Sequence, residues 1–190
     1  MRVQLTPRDD CLRPAAEALI AEVYAQHYAA RIADFPNTLV SVIGEDGAVC
    51  CAAGLRFAAE GFFSELYLPE PVEVVLAGHR RRSVAREKIF EVTSLASRAP
   101  HLVGGFVRKI ITSGEAAGFD WAFFTATLPL KILLERMRLV LVPIGEADRM
   151  LVANPKSWGS YYAFAPRVYA VHRDTIGLCL GRRAGAVAYG

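Results

Sequence analysis

The stretch from Lys88 to Thr127 constrains the fold more than any other part of this chain. It reads KIFEVTSLA at Lys88 to Ala96, RAPHLVGGFVRKIITSGEAAG at Arg98 to Gly118, and FDWAFFTAT at Phe119 to Thr127. The first piece is apolar at alternating positions and Trp121 to Thr127 is apolar almost throughout, as expected for central strands covered on both faces. Val103 to Ala117 is long enough for a crossover helix, a Gly-containing turn opens it, and Gly118 is its stop. A helix N-terminus beside the splayed end of a strand is a ready site for the phosphates of an acyl carrier.

The flanking sequence supplies the rest of a layered fold. Pro14 to Phe35 places Ala18, Leu19, Val23, Tyr24, His27, Tyr28 and Ile32 at spacings of three and four, which predicts an amphipathic helix. Thr38 to Gly44 and Ala48 to Ala58 flank Glu45-Asp46-Gly47, the signature of an antiparallel hairpin. Phe62 to Leu68, aromatic and followed by Pro69, reads as a short strand; Pro71 to Gly78 fits either a strand or a short helix. Pro129 opens a helix with Leu130, Leu133, Leu134 and Met137 on one side, followed by a strand at Leu139 to Gly145. Trp158 to Asp174, interrupted at Pro166, reads as strand, and the Gly- and Ala-rich last ten residues as a fraying end. The expectation is an α/β (α+β) fold, a mixed central sheet flanked by helices, in one domain over residues 1–190.

Composition narrows the function classes. No apolar run approaches the roughly 20 residues a membrane-spanning helix needs, because Lys88, Glu91, Arg108, Lys131 and Glu135 interrupt each candidate. The opening MRVQLTPRDDCLRP lacks the apolar segment of a secretory signal, so a cytoplasmic location is expected. Net charge is only +3, giving no reason to expect a nucleic-acid partner, although His79 to Arg82 concentrates positive charge in a solvated loop or a site for an acidic carrier protein or a nucleotide phosphate. Cys11, Cys50, Cys51 and Cys179 lack metal-ligand spacing and read as free thiols. His27, His79, His101 and His172 are scattered, so no metal is expected; His101, near the turn, is a secondary candidate proton carrier.

Five motifs then point to a family. GLRFA at Gly54 to Ala58, FFSELYL at Phe62 to Leu68 followed by PVE, EVTSLA at Glu91 to Ala96, FFTAT at Phe123 to Thr127 and WGSYY at Trp158 to Tyr162 together resemble the thermostable hemolysin family. The resemblance implies a GCN5-related N-acetyltransferase-like fold close to the acyl-homoserine lactone synthases. In those synthases the strand motif is Glu, apolar, Ser, Arg, Phe, Ala; the matching positions here run Glu91, Val92, Thr93, Ser94, Leu95, Ala96, so the acid is kept and Ser94 replaces the Arg. Their Arg-Leu-Gly-Leu turn corresponds here to Arg138-Leu139-Val140-Leu141.

Acyl transfer from a thioester to an amine needs a neutral amine, a polarised carbonyl and a protonated leaving thiol. Glu91, an acid inside an apolar strand, is the leading base; alternatively it is a structural partner of Arg56. Tyr161 and Tyr162 offer phenols that could protonate the leaving thiolate, or else pack as aromatics. The amides of Val103, Gly104, Gly105 and Phe106 are candidates for holding the donor, with the hydroxyls of Thr125 and Thr127, which alternate along their strand. The resemblance places Arg56, Glu65 and Tyr67 on the segments that line the amino-substrate pocket, with Thr93 of the strand motif beside them. No permanently bound cofactor is expected; acyl-CoA or an acyl carrier protein would serve as cosubstrate for a small amine acceptor, and the oligomeric state stays open. The alternatives are a noncatalytic acyl or small-molecule binding protein of the same fold and a hemolysin acting on membranes.

Overall fold

The computed structural model describes residues 2–175. Seven strands form one mixed sheet: β1 (Arg2–Pro7), β2 (Thr38–Ile43), β3 (Val49–Phe57), β4 (Ile89–Ser97), β5 (Trp121–Ala126), β6 (Val142–Glu146) and β7 (Arg167–His172), in the order β1-β2-β3-β4-β5-β7-β6. Among the described residues β4 and β5 are the one parallel pair. They are parallel because the crossover helix α3 (Pro100–Ala116) joins them.

Alternation along the strands divides the core between two faces. On one face α1 (Arg13–Tyr28) buries Ala16, Leu19 and Ile20 against Leu39, Ala52 and Ala96, and α2 (Val72–Arg80) buries Val72 and Leu76 with Phe123 and Val168. On the other, Phe106 and Ile110 of α3 meet Cys51, Ala53 and Phe90, while α4 (Leu128–Arg136) places Leu134 against Val107 and Val171. Full burial of a side chain such as Phe123 stabilises by about 1.5–3 kcal/mol.

The central strand-helix-strand unit, the hairpin and α4 form where the sequence places them. Elsewhere tertiary contacts override local pattern. Helix α1 stops at Tyr28, not Phe35: Ala29 turns left-handed at φ 53, and the Arg31 amide then donates to Ser157 O at 2.6 Å. The expected strand at Phe62 to Leu68 is a 3-10 turn over Ser64–Tyr67, drawn off the sheet by the Glu91 carboxylate, which accepts from Phe63 N and Ser64 N. Of the two readings for the next segment, helix is realised as α2. Strand structure between Trp158 and Asp174 is confined to β7, preceded by 3-10 turns at Pro155–Trp158 and Tyr161–Phe164. Helix α3 starts at Pro100, so Gly104 and Gly105 lie inside the helix, not in a turn before it. The expected fraying tail and Cys179 lie outside the described residues.

Candidate functional site

Chemistry concentrates where β4 and β5 part. Parallel pairing runs from Ile89↔Trp121 to Val92↔Phe124 and then ceases. On the other edge of β4 the ladder passes from Gly54↔Thr93 to Ala52↔Ala96, so Ser94 and Leu95 stand opposite Ala53 in a bulge, with Ser94 at φ 51. The bulge turns the strand away and leaves the facing edges of Thr93 and Thr125 without a strand partner.

Two cavities meet at this gap. The first, of about 590 Å³, lies on the α1/α2 face and is walled by charged, hydroxyl and aromatic groups, among them Arg31, Asp34, Arg56, Ser64, Asn154 and Trp158. The second, of about 470 Å³, has walls from α1 on one face and from α3 and α4 on the other, including Val103, Val107, Ile111, Leu130, Leu133 and Leu134, so it passes through the sheet where the strands separate. Tyr24, Val92, Thr93, Ser94, Thr125 and Tyr161 belong to both.

The WGSYY motif closes the site over α1. Gly159 adopts φ 51, and a Cβ there would sit 2.0 Å from Tyr28 O, so a side chain cannot be accommodated. Ser160 donates to the same carbonyl from its amide at 2.8 Å and its hydroxyl at 3.2 Å. This docking stacks Tyr161 on Tyr24, with ring centroids 6.1 Å apart, and sets Trp158 against Phe63 at 5.7 Å. Among the described residues neither the Tyr24 nor the Tyr161 hydroxyl has a hydrogen-bond partner, and neither oxygen is wholly shut off from open space. Burial drives the Tyr161 phenol well above its ordinary pKa, so it stays protonated through the neutral range.

Glu91 is fully buried beneath the first cavity and does not itself line it. Its carboxylate accepts from Phe63 N at 2.6 Å and Ser64 N at 2.8 Å. Burial pushes the carboxyl up to about 7, against the opposing pull of the Ser64 side chain, the two amides and Arg56. The Ser64 hydroxyl in turn shares a hydrogen bond with Thr125 Oγ1 at 2.8 Å, and Thr125 opens onto both cavities. A hydroxyl path therefore leads from the buried acid to the cavity surface.

The remaining sequence candidates divide. Arg56 and Thr93 line the first cavity, and Thr93, Thr125, Thr127 and Val103 the second. Thr127 is buried as the residue preceding α4. Gly104, Gly105 and Phe106 lie outside both cavities; their amides belong to the helix ladder, Phe106 is core, and the N-terminal end of α3 is at Pro100 to Val103, where the Leu102 amide already donates to Ala99 O at 3.1 Å. His101 itself is exposed. Glu65 is held by Arg86 in a two-pronged pair at 2.5 and 2.7 Å and accepts from Val72 N at 3.0 Å, which fixes the start of α2. Tyr67 and Tyr162 bond each other through their hydroxyls at 2.6 Å, also outside the cavities.

Tyr24, Ser64, Arg31 and Trp158 were missed as site residues. Tyr24 had a helical core spacing that hid its hydroxyl; Ser64 and Arg31 sit in segments whose path depends on distant partners. Trp158 opens WGSYY, which was the available signal.

Among the described residues no helix is long and apolar enough to cross a membrane. A family model described as thermostable hemolysin matches residues 6–176. No curated protein matches the sequence. Among solved structures, the acyl-homoserine lactone synthase LasI is 12% identical, with 100% of this chain and 97% of that chain covered and a TM-score of 0.65. FeeM, an N-acyl amino acid synthase from uncultured soil microbes, is 14% identical over 97% of this chain and 100% of its own, with a TM-score of 0.60. A GCN5-related N-acetyltransferase from Kribbella flavida is 12% identical over 90% of this chain and 97% of its own, with a TM-score of 0.50. The likeness is one of fold: a mixed seven-stranded sheet with flanking helices, as in GCN5-related acyltransferases.

Proposed function

This chain belongs to the thermostable hemolysin family, and we propose that it is an acyltransferase carrying an acyl group from an acyl-CoA or acyl carrier protein thioester to the amine of a small molecule. The observation that carries the reading is the parting of β4 and β5, with a more polar and a more apolar cavity sharing Tyr161, whose hydroxyl is protonated and unpartnered. The acyl chain takes the apolar cavity, the amine enters from the polar one, and the thioester carbonyl lies between them beside Ser94. The pantetheine arm runs along the unpaired strand edges, and its phosphate meets the N-terminus of α3 and Arg98.

In the transfer step the amine nitrogen attacks the thioester carbonyl; the C–N bond forms and the C–S bond breaks. The proton lost by nitrogen passes through the hydroxyls of Thr125 and Ser64 to Glu91, whose carboxyl near 7 suits a base at neutral pH. Tyr161 protonates the departing thiolate, and solvent restores both groups.

The test is thiol release with purified protein across acyl donors and an amine panel, with the amide product identified by mass. The proposal predicts amine-dependent thiol release that falls in Tyr161→Phe. Donor binding without turnover would replace it with the binding-protein reading; lysis by protein alone, with no donor bound, would replace it with direct membrane damage.

A further inference from the structure

Resting on that reading, we infer that the acceptor is an amine that also carries a carboxylate, of the α-amino acid type, and that Arg56 with Thr93 holds the carboxylate in the first cavity. Among the described residues two buried side-chain polar atoms have no hydrogen-bond partner, Arg56 Nε and Thr93 Oγ1. Both residues line this one cavity. They also sit together: Arg56 and Thr93 lie on adjacent strands, and the ladder pairs Gly54 with Thr93 and Arg56 with Glu91.

The whole Arg56 guanidinium is underused. Its side chain is only 17% exposed, yet it makes no hydrogen bond among the described residues. Its nearest carboxylate oxygens, on Asp34 and Glu60, stand at 3.7 Å, beyond hydrogen-bond reach. Asp34 is 90% exposed, so water screens its pull, and the nearby Glu60 oxygen already accepts from Asn37 N at 2.8 Å. Glu91, opposite on β4, is committed to Phe63 and Ser64. A planar fork of donors left unsatisfied beside a hydroxyl is the complement of a carboxylate, which accepts two parallel bonds from guanidinium and a third from threonine.

The surrounding groups suit a zwitterion. A substituent at residue 54 would meet Thr93 Oγ1 at 2.3 Å and Pro36 Cγ at 2.6 Å, so Gly54 lets Thr93 and Pro36 keep their places in the cavity wall. Arg31 and Asp34 at the outer wall present charges of both signs, as a zwitterion requires. The amine then projects from the anchored carboxylate towards Thr125 and the strand gap.

The twenty L-α-amino acids and their decarboxylated amines, such as phenylalanine and phenethylamine, are compared as acceptors with an acyl-CoA donor. An amino acid should exceed its amine at least tenfold in kcat/KM. Arg56→Gln should raise the amino-acid KM at least tenfold with the donor KM within twofold, Arg56→Lys should recover part of the loss, and Thr93→Val should shift KM the same way by less. Equal use of amine and amino acid, or an unchanged KM in a folded Arg56→Gln protein, overturns the inference while transfer stands. If no donor supports transfer, calorimetry of the amino acids with free protein reads the site directly: binding lost in Arg56→Gln, or in Thr93→Val should the Arg variant not fold, upholds it, and no binding overturns it.

Discussion

The two cavities are similar in size, about 590 and 470 Å³, and share six residues, yet their walls differ in kind. The first combines irregular segments, residues 31–36, the Ser64 turn and residues 152–158, with the strand residues Arg56, Thr93 and Thr125, which together bring charges and hydroxyls. The second is built from the inward faces of α3 and α4, which bring Val, Ile and Leu. Strands β4 and β5 supply a common opening, regular helices make an apolar slot beside it, and strand residues together with loops fixed by distant hydrogen bonds make a more polar one.

The largest change is expected on the polar side, at Glu91. Its folded pKa, about 7, lies above the ordinary carboxylate value of 4.5. The folded state therefore keeps a proton that the unfolded chain has released, and stability falls as pH rises from 4.5 to 7. The total is about 3 kcal/mol. Glu91→Gln, neutral throughout, should lose this fall, read as the difference between urea unfolding at pH 5 and pH 7.5; parallel curves for variant and native protein would show that the acid is not held near 7.

At the shared opening, Tyr161→Phe should lower kcat about a hundredfold with donor binding retained, the effect of removing a proton donor from the reacting centre. An unchanged kcat in single-turnover kinetics would exclude Tyr161 as the acid. On the apolar side, Leu133→Trp should cut kcat/KM for octanoyl and longer donors about tenfold, or 1.4 kcal/mol, and spare acetyl donors and the acceptor KM. Equal loss for every chain length would place the acyl group elsewhere. Smallest is Glu65→Gln, outside both cavities, where weakening the Arg86 pair and the α2 cap should cost about 1 kcal/mol in thermal unfolding and leave transfer unchanged.

What was legible in the sequence follows the same division. Strands β4 and β5 and the helix between them were readable because burial on both faces imposes near-continuous apolar character, and Glu91 stood out against it. Strand β1 was unread: Arg2–Pro7 is an edge strand with Thr6 as its one buried residue, so it lacks an apolar signature. Phe62 to Leu68 has strand composition, and only the long-range bonds to Glu91 make it a turn. Arg56 and Thr93 were placed in the substrate site by resemblance, and both line the polar cavity; Glu65 and Tyr67, placed there on the same grounds, are engaged with Arg86 and Tyr162 instead. Local pattern reports burial, whereas a site made by loops depends on contacts between residues far apart in the chain.

The most direct measurement is a crystal structure of the protein with a long-chain acyl-CoA thioether that cannot transfer its acyl group. The acyl chain should lie between Val103, Val107 and Leu133 with the sulfur near Tyr161 and Ser94, leaving the Arg56 cavity open. A chain seated in the Arg56 cavity, or a donor bound away from the β4–β5 gap, would contradict the division of the two cavities between acyl chain and acceptor.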